Sequence, residues 1–168
     1  MSVTPHWNEL CEQLCPGDST LLKEVELSIS DPAAYFEKFS TALGERGIED
    51  PSEVDSWLAL VDGLARRGYL REEDWKLEAE EIAFQLERLR PCKERKVQFV
   101  SLRNTEKIGE ALLELAAFEL KKYELSLLYL EIDGDCYPLV VVSSEKAPQV
   151  VKLAQLLKQN ASMFEGKI

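Results

Sequence analysis

Leu125-Ser126-Leu127-Leu128-Tyr129-Leu130-Glu131-Ile132-Asp133-Gly134-Asp135-Cys136-Tyr137-Pro138-Leu139-Val140-Val141-Val142-Ser143 is the stretch that decides the fold. Two apolar runs flank Asp133-Gly134-Asp135, and Gly and Asp tolerate the positive φ that a tight turn requires. The pattern predicts a β-hairpin: one strand from Leu125 to Ile132, an acidic turn, and a returning strand from Tyr137 to Ser143. Pro138 stands near the start of the second strand, where a missing N–H is tolerated.

On the N-terminal side of the hairpin, Val97-Gln98-Phe99-Val100-Ser101-Leu102 has the β-branched, partly alternating texture of a third strand. Asn104 or Thr105 then caps a helix running from about 105 to 123. Its apolar residues (Ile108, Leu112, Leu113, Leu115, Ala116, Phe118, Leu120) cover much of its circumference, so it is expected to be largely buried. Beyond the hairpin, 146–159 form a last helix carrying Val150, Leu153, Ala154 and Leu157, and Asn160 to Ile168 read as a loose end. The order β-α-β-β-α implies a three-stranded sheet with a right-handed parallel crossover followed by the hairpin. Such a sheet needs further cover.

The first ninety residues supply it as helices. Pro16-Gly17 separates helices over 6–15 and 19–29. Asp31-Pro32 opens a third, with Asp as cap and Pro at the first position, followed by Tyr35, Phe36, Phe39 and Leu43 and ended by Gly44 or Gly47. Asp50-Pro51-Ser52-Glu53 is a fourth start. Behind it Val54, Trp57, Leu58, Val61 and Leu64 form a stripe that Gly68 closes. Arg71-Glu72-Glu73-Asp74-Trp75 leads into a fifth helix, with Trp75, Ala79, Ile82, Leu86 and Leu89 in register until Pro91. The expected architecture is a single α+β domain: residues 1–91 as an acidic bundle of about five helices, packed on the β-α-β-β-α part of 92–168. A chain of 168 residues is long enough to bury its own core without disulfides or metal.

The net charge of −11 is distributed unevenly. Residues 1–90 hold 20 acids and 9 bases, whereas residues 91–168 hold 11 of each. The excess peaks over 45–81, where 12 acids face 5 bases with Trp57 and Trp75 among them. A nucleic-acid binder needs clustered Lys and Arg to neutralise phosphates, and this chain has the reverse, so nucleic acid and anionic lipid are not expected partners. A basic protein surface is. No run of about 18 apolar residues occurs, so no membrane span is expected. The start, Met1 to Trp7, lacks the basic-then-apolar pattern of a secretory signal, which points to the cytoplasm.

Cys11, Cys15, Cys92 and Cys136 form no C-x-x-C pair and read as small core residues in a reducing compartment. His6 is the single histidine. That argues against a zinc site, a Ser-His pair or a Cys-His pair. No phosphate-cradling glycine motif is present. Neither a catalytic residue nor a cofactor or metal is expected.

Leu127 to Asp135 resembles the first motif of the haloacid-dehalogenase phosphatases, an apolar strand ending in D-x-D-G-T. That resemblance implies a metal-dependent hydrolase using Glu131, Asp133 and Asp135. The chain departs from the motif at both ends, with Glu131 at the nucleophile position and Asp135 at the Thr position, and the remaining chain is short for the family's later motifs. A hairpin turn accounts for Asp133-Gly134-Asp135 by itself.

Trp57-Leu58-Ala59-Leu60-Val61-Asp62-Gly63-Leu64, Gly68-Tyr69-Leu70 and Asp74-Trp75-Lys76 resemble an uncharacterised bacterial family known only as a domain of unknown function. Asp31-Pro32-Ala33-Ala34-Tyr35 and the hairpin Tyr129 to Leu139 extend the resemblance over most of the chain. It implies a small stand-alone bacterial domain, similar to the acidic immunity proteins of toxin systems, including type VI secretion pairs.

The function expected on these grounds is binding, without enzymatic activity. An immunity protein would occlude the active site of a basic cognate toxin. The expected partner-binding residues are Glu49, Asp50, Glu53, Asp55, Glu72, Glu73, Asp74, Trp75 and Glu78, because acids steer a basic partner and an aromatic anchors it. Trp57 fits the core stripe and Trp75 the anchor. The turn residues Asp133 and Asp135 are a secondary site. The alternatives are the metal-dependent hydrolase and a homo-oligomeric adaptor, a homodimer among them, whose interface is helix 105–123.

Overall fold

The computed structural model describes residues 4–74, 76 and 78–167. The hairpin forms as the sequence predicts. β2 (Leu125–Leu130) and β3 (Cys136–Ser143) pair antiparallel, with Leu125 opposite Ser143 and Tyr129 opposite Leu139. Both strands are apolar on both faces because both faces are covered. Leu128, Leu130, Val140 and Val142 point into one core, and Leu125, Leu127, Leu139 and Val141 into another.

Two more strands join the hairpin, and neither is where a third strand was expected. β1 (Leu70–Asp74) pairs antiparallel with β3, and β4 (Ala161–Met163) pairs antiparallel with β2. The sheet is therefore four-stranded and antiparallel in the order β1-β3-β2-β4, which replaces the three-stranded sheet and its parallel crossover. Arg71-Glu72-Glu73-Asp74 is strand, not the approach to a helix. The end at Ala161 to Lys167 is not loose, since Phe164 is buried and its N–H donates to Leu127 O at 3.0 Å.

Val97 to Leu102 forms no strand. Side chains take its backbone donors. Phe99 N–H reaches Glu87 Oε2 at 3.0 Å, and the N–H groups of Val100, Ser101 and Leu102 reach the Glu119 carboxylate at 2.9, 3.1 and 2.6 Å. A segment whose N–H groups are already satisfied gains nothing from a ladder.

Helices lie on both sides of the sheet. α1 (Thr4–Leu14), α2 (Ser19–Ser30), α5 (Ser56–Arg66) and α9 (Ala147–Leu156) cover the first face. α3 (Pro32–Lys38) and α4 (Ser40–Glu45) pack outside α5 through Tyr35, Leu43, Ile48 and Ala59. α6 (Ala79–Glu87), α7 (Arg90–Glu94) and α8 (Gly109–Leu120) cover the second face. Residues 1–91 are thus not one bundle, because the chain crosses to the other side of the sheet through β1. α8 begins at Gly109, later than the expected Asn104 or Thr105 cap, and its leucines fill the second core.

Aspartates cap three of the helix starts on the first-face side of the sheet, and of these the sequence marked Asp31. Asp18 accepts from Thr20 N–H at 2.8 Å, Asp31 from Ala34 N–H at 3.1 Å, and Asp55 from Trp57 N–H at 2.8 Å. The Asp50-Pro51-Ser52-Glu53 start yields only one 3₁₀ turn, Pro51–Glu53, before Asp55 caps α5. Gly63 permits the close crossing of α2 and α5, since a Cβ there would strike Leu21 Cδ1.

Candidate functional site

The hairpin end of the sheet gathers Asp55, Asp133 and Asp135, with Asp74 beside them on β1. Trp57 is core, as its stripe predicts, and its indole N–H donates to Glu131 O at 2.9 Å. That bond ties the start of α5 to the hairpin. It brings Asp55 and Leu58 beside Glu131, Ile132 and Asp133 around one open pocket, with Gln159 and Asn160 on its far wall. Asp55 and the Asp133 turn, far apart in sequence, thereby share one rim. Across the turn, Asp135, Cys136 and Tyr137 line a second shallow groove with Tyr129 and Ile132. Asp74 follows from β1, its Cα opposite that of Cys136.

Glu53, Asp55, Asp74, Glu131, Asp133 and Asp135 are exposed, and among the described residues no ion pair reaches them. Asp55 and Asp74 accept only local backbone bonds, Asp74 from Lys76 N–H at 2.8 Å. Glu49 and Glu78 are also exposed. Asp50 accepts Ser52 N–H, and that bond lowers its pKa.

Two expected binding residues, Glu72 and Glu73, have other roles or positions. Glu72 joins Asp62 in a pair of contacts to Arg46. Burial works against the Arg46 charge, but the hydrogen bonds to Asp62 and Glu72 overcome it and hold the guanidinium protonated. Trp75 lies outside the described residues. Glu73 is buried at 9% exposure, where an exposed acid was expected. It sits on the second face of the sheet, opposite Tyr137, in a small cleft with Asp74, Ile82, Gly109, Leu112 and Leu113. Among the described residues no hydrogen bond reaches its carboxylate. Burial is the largest cause that pushes its pKa up to about 7, Glu81 adds to it, and Arg71 opposes it.

A strand reading of Arg71-Glu72-Glu73-Asp74 would have found this cleft. Alternation turns Glu72 to the first face and Glu73 to the second.

Glu131, Asp133 and Asp135 point around a turn and do not converge. No group of three or more His, Cys, Asp or Glu among the described residues is placed to hold a metal ion. Cys11, Cys15 and Cys92 are buried, and burial pushes their thiols up to about 12, 11 and 12. Among the described residues no helix is long and apolar enough to cross a membrane.

A family described as a domain of unknown function, DUF6630, matches residues 6–164, and the chain belongs to that family. No curated protein and no solved structure matches it.

Proposed function

We propose that this DUF6630 protein acts by binding a basic protein partner at the hairpin end of its sheet, and that the partner is a toxin it neutralises in the cytoplasm of a bacterium. One observation carries the reading. Asp55, Glu131, Asp133 and Asp135 stand together around the hairpin turn, and among the described residues none of them is in an ion pair, whereas Asp18 and Glu24 are paired with Arg67, Asp62 with Arg46, and Glu87 with Arg103. Unpaired carboxylates on one rim set up a negative field that steers a cationic surface and rejects an anionic one. The pockets flanking the turn, lined by Leu58, Ile132 and Tyr137, offer apolar floor for an anchoring side chain.

The test is co-expression with the product of the adjacent gene. The expected results are restored growth and a complex that co-purifies. Reversing charge on the rim with Asp55→Lys, Asp133→Lys and Asp135→Lys is expected to slow association more than tenfold at low salt, with the difference shrinking at high salt. An adjacent product that is neither toxic nor bound removes the toxin reading. Binding that ignores the triple reversal removes the rim.

A further inference from the structure

The Glu73 cleft is built unlike the open rim beside it. Its walls are apolar: Ile82 from α6, and Leu112 and Leu113 from α8. Gly109, at φ +60, brings the start of α8 to the cleft with no side chain in the way. Tyr137 closes the β3 side. The space left is about that of one water molecule. Glu73 lines it beside Asp74; it is nine-tenths buried and accepts no hydrogen bond among the described residues, while its carboxylate oxygens keep an edge of solvent contact. A buried carboxylate without a donor is costly, and a buried group of this kind is matched when a donor arrives.

We infer that the Glu73 cleft is a socket for an alkylammonium group, and that its occupant is a lysine side chain of the basic partner. The inference rests on the partner-binding reading above and names the residue type that reading left open. The dimensions favour lysine. An ammonium is a compact charge of water size with three donors, whereas a guanidinium is a wide planar fork. Lysine's ammonium head would enter the water-sized space and meet the carboxylate, while its methylene stem lies across the mouth of the cleft. The charges agree. The titratable and charged groups facing the cleft are Arg71 and Asp74 from β1, Glu81 from α6, Tyr137 from β3 and, beside Tyr137, Glu110 from α8. Among these described groups the carboxylates outnumber the guanidinium, so a cation is attracted and an anion repelled.

Occupancy must be coupled to a proton. Burial holds the Glu73 pKa at about 7 in the empty cleft. An ammonium pairs only with the ionised form, so it must displace that proton and pull the pKa back down.

The experiment is a nuclear magnetic resonance titration of the full chain with Nα-acetyl-lysine methylamide, with the norleucine analogue as the neutral comparison. The lysine analogue is expected to shift the Glu73, Gly109 and Tyr137 resonances saturably. Its affinity is expected to be more than tenfold higher at pH 8 than at pH 5.5, and the Glu73 carboxyl to titrate at least one unit lower when it is bound. Glu73→Gln keeps the shape and should abolish the saturable shifts, and Glu145→Gln, on an exposed residue outside both the cleft and the rim, should keep them. Shifts that the norleucine analogue reproduces, shifts that survive Glu73→Gln, or no saturable shift at all overturn the socket. A socket that binds the analogue while no partner is captured leaves the inference standing and the toxin reading fallen. A captured partner indifferent to Glu73→Gln does the opposite.

Discussion

Glu119 and Glu73 are two carboxylates on the same side of the sheet, exposed by 6% and 9%, and the structure treats them in opposite ways. Glu119, on α8, accepts three backbone N–H groups from the 100–102 segment. Glu73, on β1, accepts none among the described residues. The first is spent on architecture: it replaces the ladder that Val97 to Leu102 would otherwise seek. The second spends stability and gives none back in the isolated chain. A fold that satisfies one buried acid so fully has no general difficulty in doing so. The isolation of Glu73 is therefore a local property of its cleft, and local strain or dissatisfaction is where function concentrates.

The largest effect should come from Glu119→Ala. It strands three N–H groups, one of them buried, and opens a void beneath the 100–102 segment. Each orphaned donor costs about 1 kcal/mol or more, so a loss of about 3 kcal/mol is expected in urea unfolding. Hydrogen exchange at Val100, Ser101 and Leu102 should accelerate together. A loss below about 1 kcal/mol would mean that water replaces the carboxylate freely, and the contrast with Glu73 would collapse.

Glu73→Gln should act in the other direction. A carboxyl whose folded-state pKa, about 7, lies above the ordinary 4.5 binds its proton more tightly in the native state. Its presence is therefore least harmful below pH 4.5, and stability is lost as pH rises through the interval up to about 7. Glutamine carries no charge, so the variant should be more stable than the parent above pH 7, by about 2 kcal/mol once partial solvent access is allowed for. It should match the parent near pH 4. Thermal melting at pH 4, 6 and 8 checks this. A variant equally stable at all three values would show that the carboxylate is already satisfied.

Charges on the first face are handled by pairing. Arg67 holds Asp18 at 2.8 Å, also contacts Glu24, and donates to Gly63 O at 2.9 Å. The Thr20 hydroxyl is the largest cause that keeps Asp18 down at about 2, with Arg67 adding to it. Arg67→Met keeps the stem and removes the charge. A loss of about 1 to 2 kcal/mol is expected, smaller than for Glu119 because this network is half open to solvent. A loss as large as that of Glu119→Ala would make the two faces equivalent in how their charges are fixed.

These differences follow what the sequence made legible. The hairpin, α1, α2 and α9 could be read because turn chemistry and apolar period are local. So could the Asp31 cap, whose partner lies three residues on. β1 could not. Leu70-Arg71-Glu72-Glu73-Asp74 has the composition of a helix approach, and it is strand only because β3 offers it an edge. Val97 to Leu102 failed in the opposite sense, since its β-like texture is overridden by Glu87 and Glu119 from helices elsewhere in the chain. At the candidate site, the acids of α5 and of the hairpin were each visible, but their meeting depends on the Trp57 to Glu131 bond across 74 residues. Glu73 was picked out for its charge, and the strand alternation that buries it was hidden by the same misreading of β1.

The smallest effect sharpens the comparison at its boundary. α8 starts beside the Glu73 cleft with Ile108 at its cap position, exposed and without a side-chain cap bond. Ile108→Ser supplies a hydroxyl acceptor for the free N–H groups of the first turn and should add about 0.5 to 1 kcal/mol. Ile108→Asp should add a similar amount through the same acceptor and the helix dipole. The two variants separate at Glu73. The new aspartate is a like charge near the cleft, so it should raise the Glu73 pKa further, while serine should leave it where it is. Carboxyl titration of both variants measures the difference. Equal values would place the start of α8 outside the electrostatic reach of Glu73, leaving burial and Glu81 to account for its isolation.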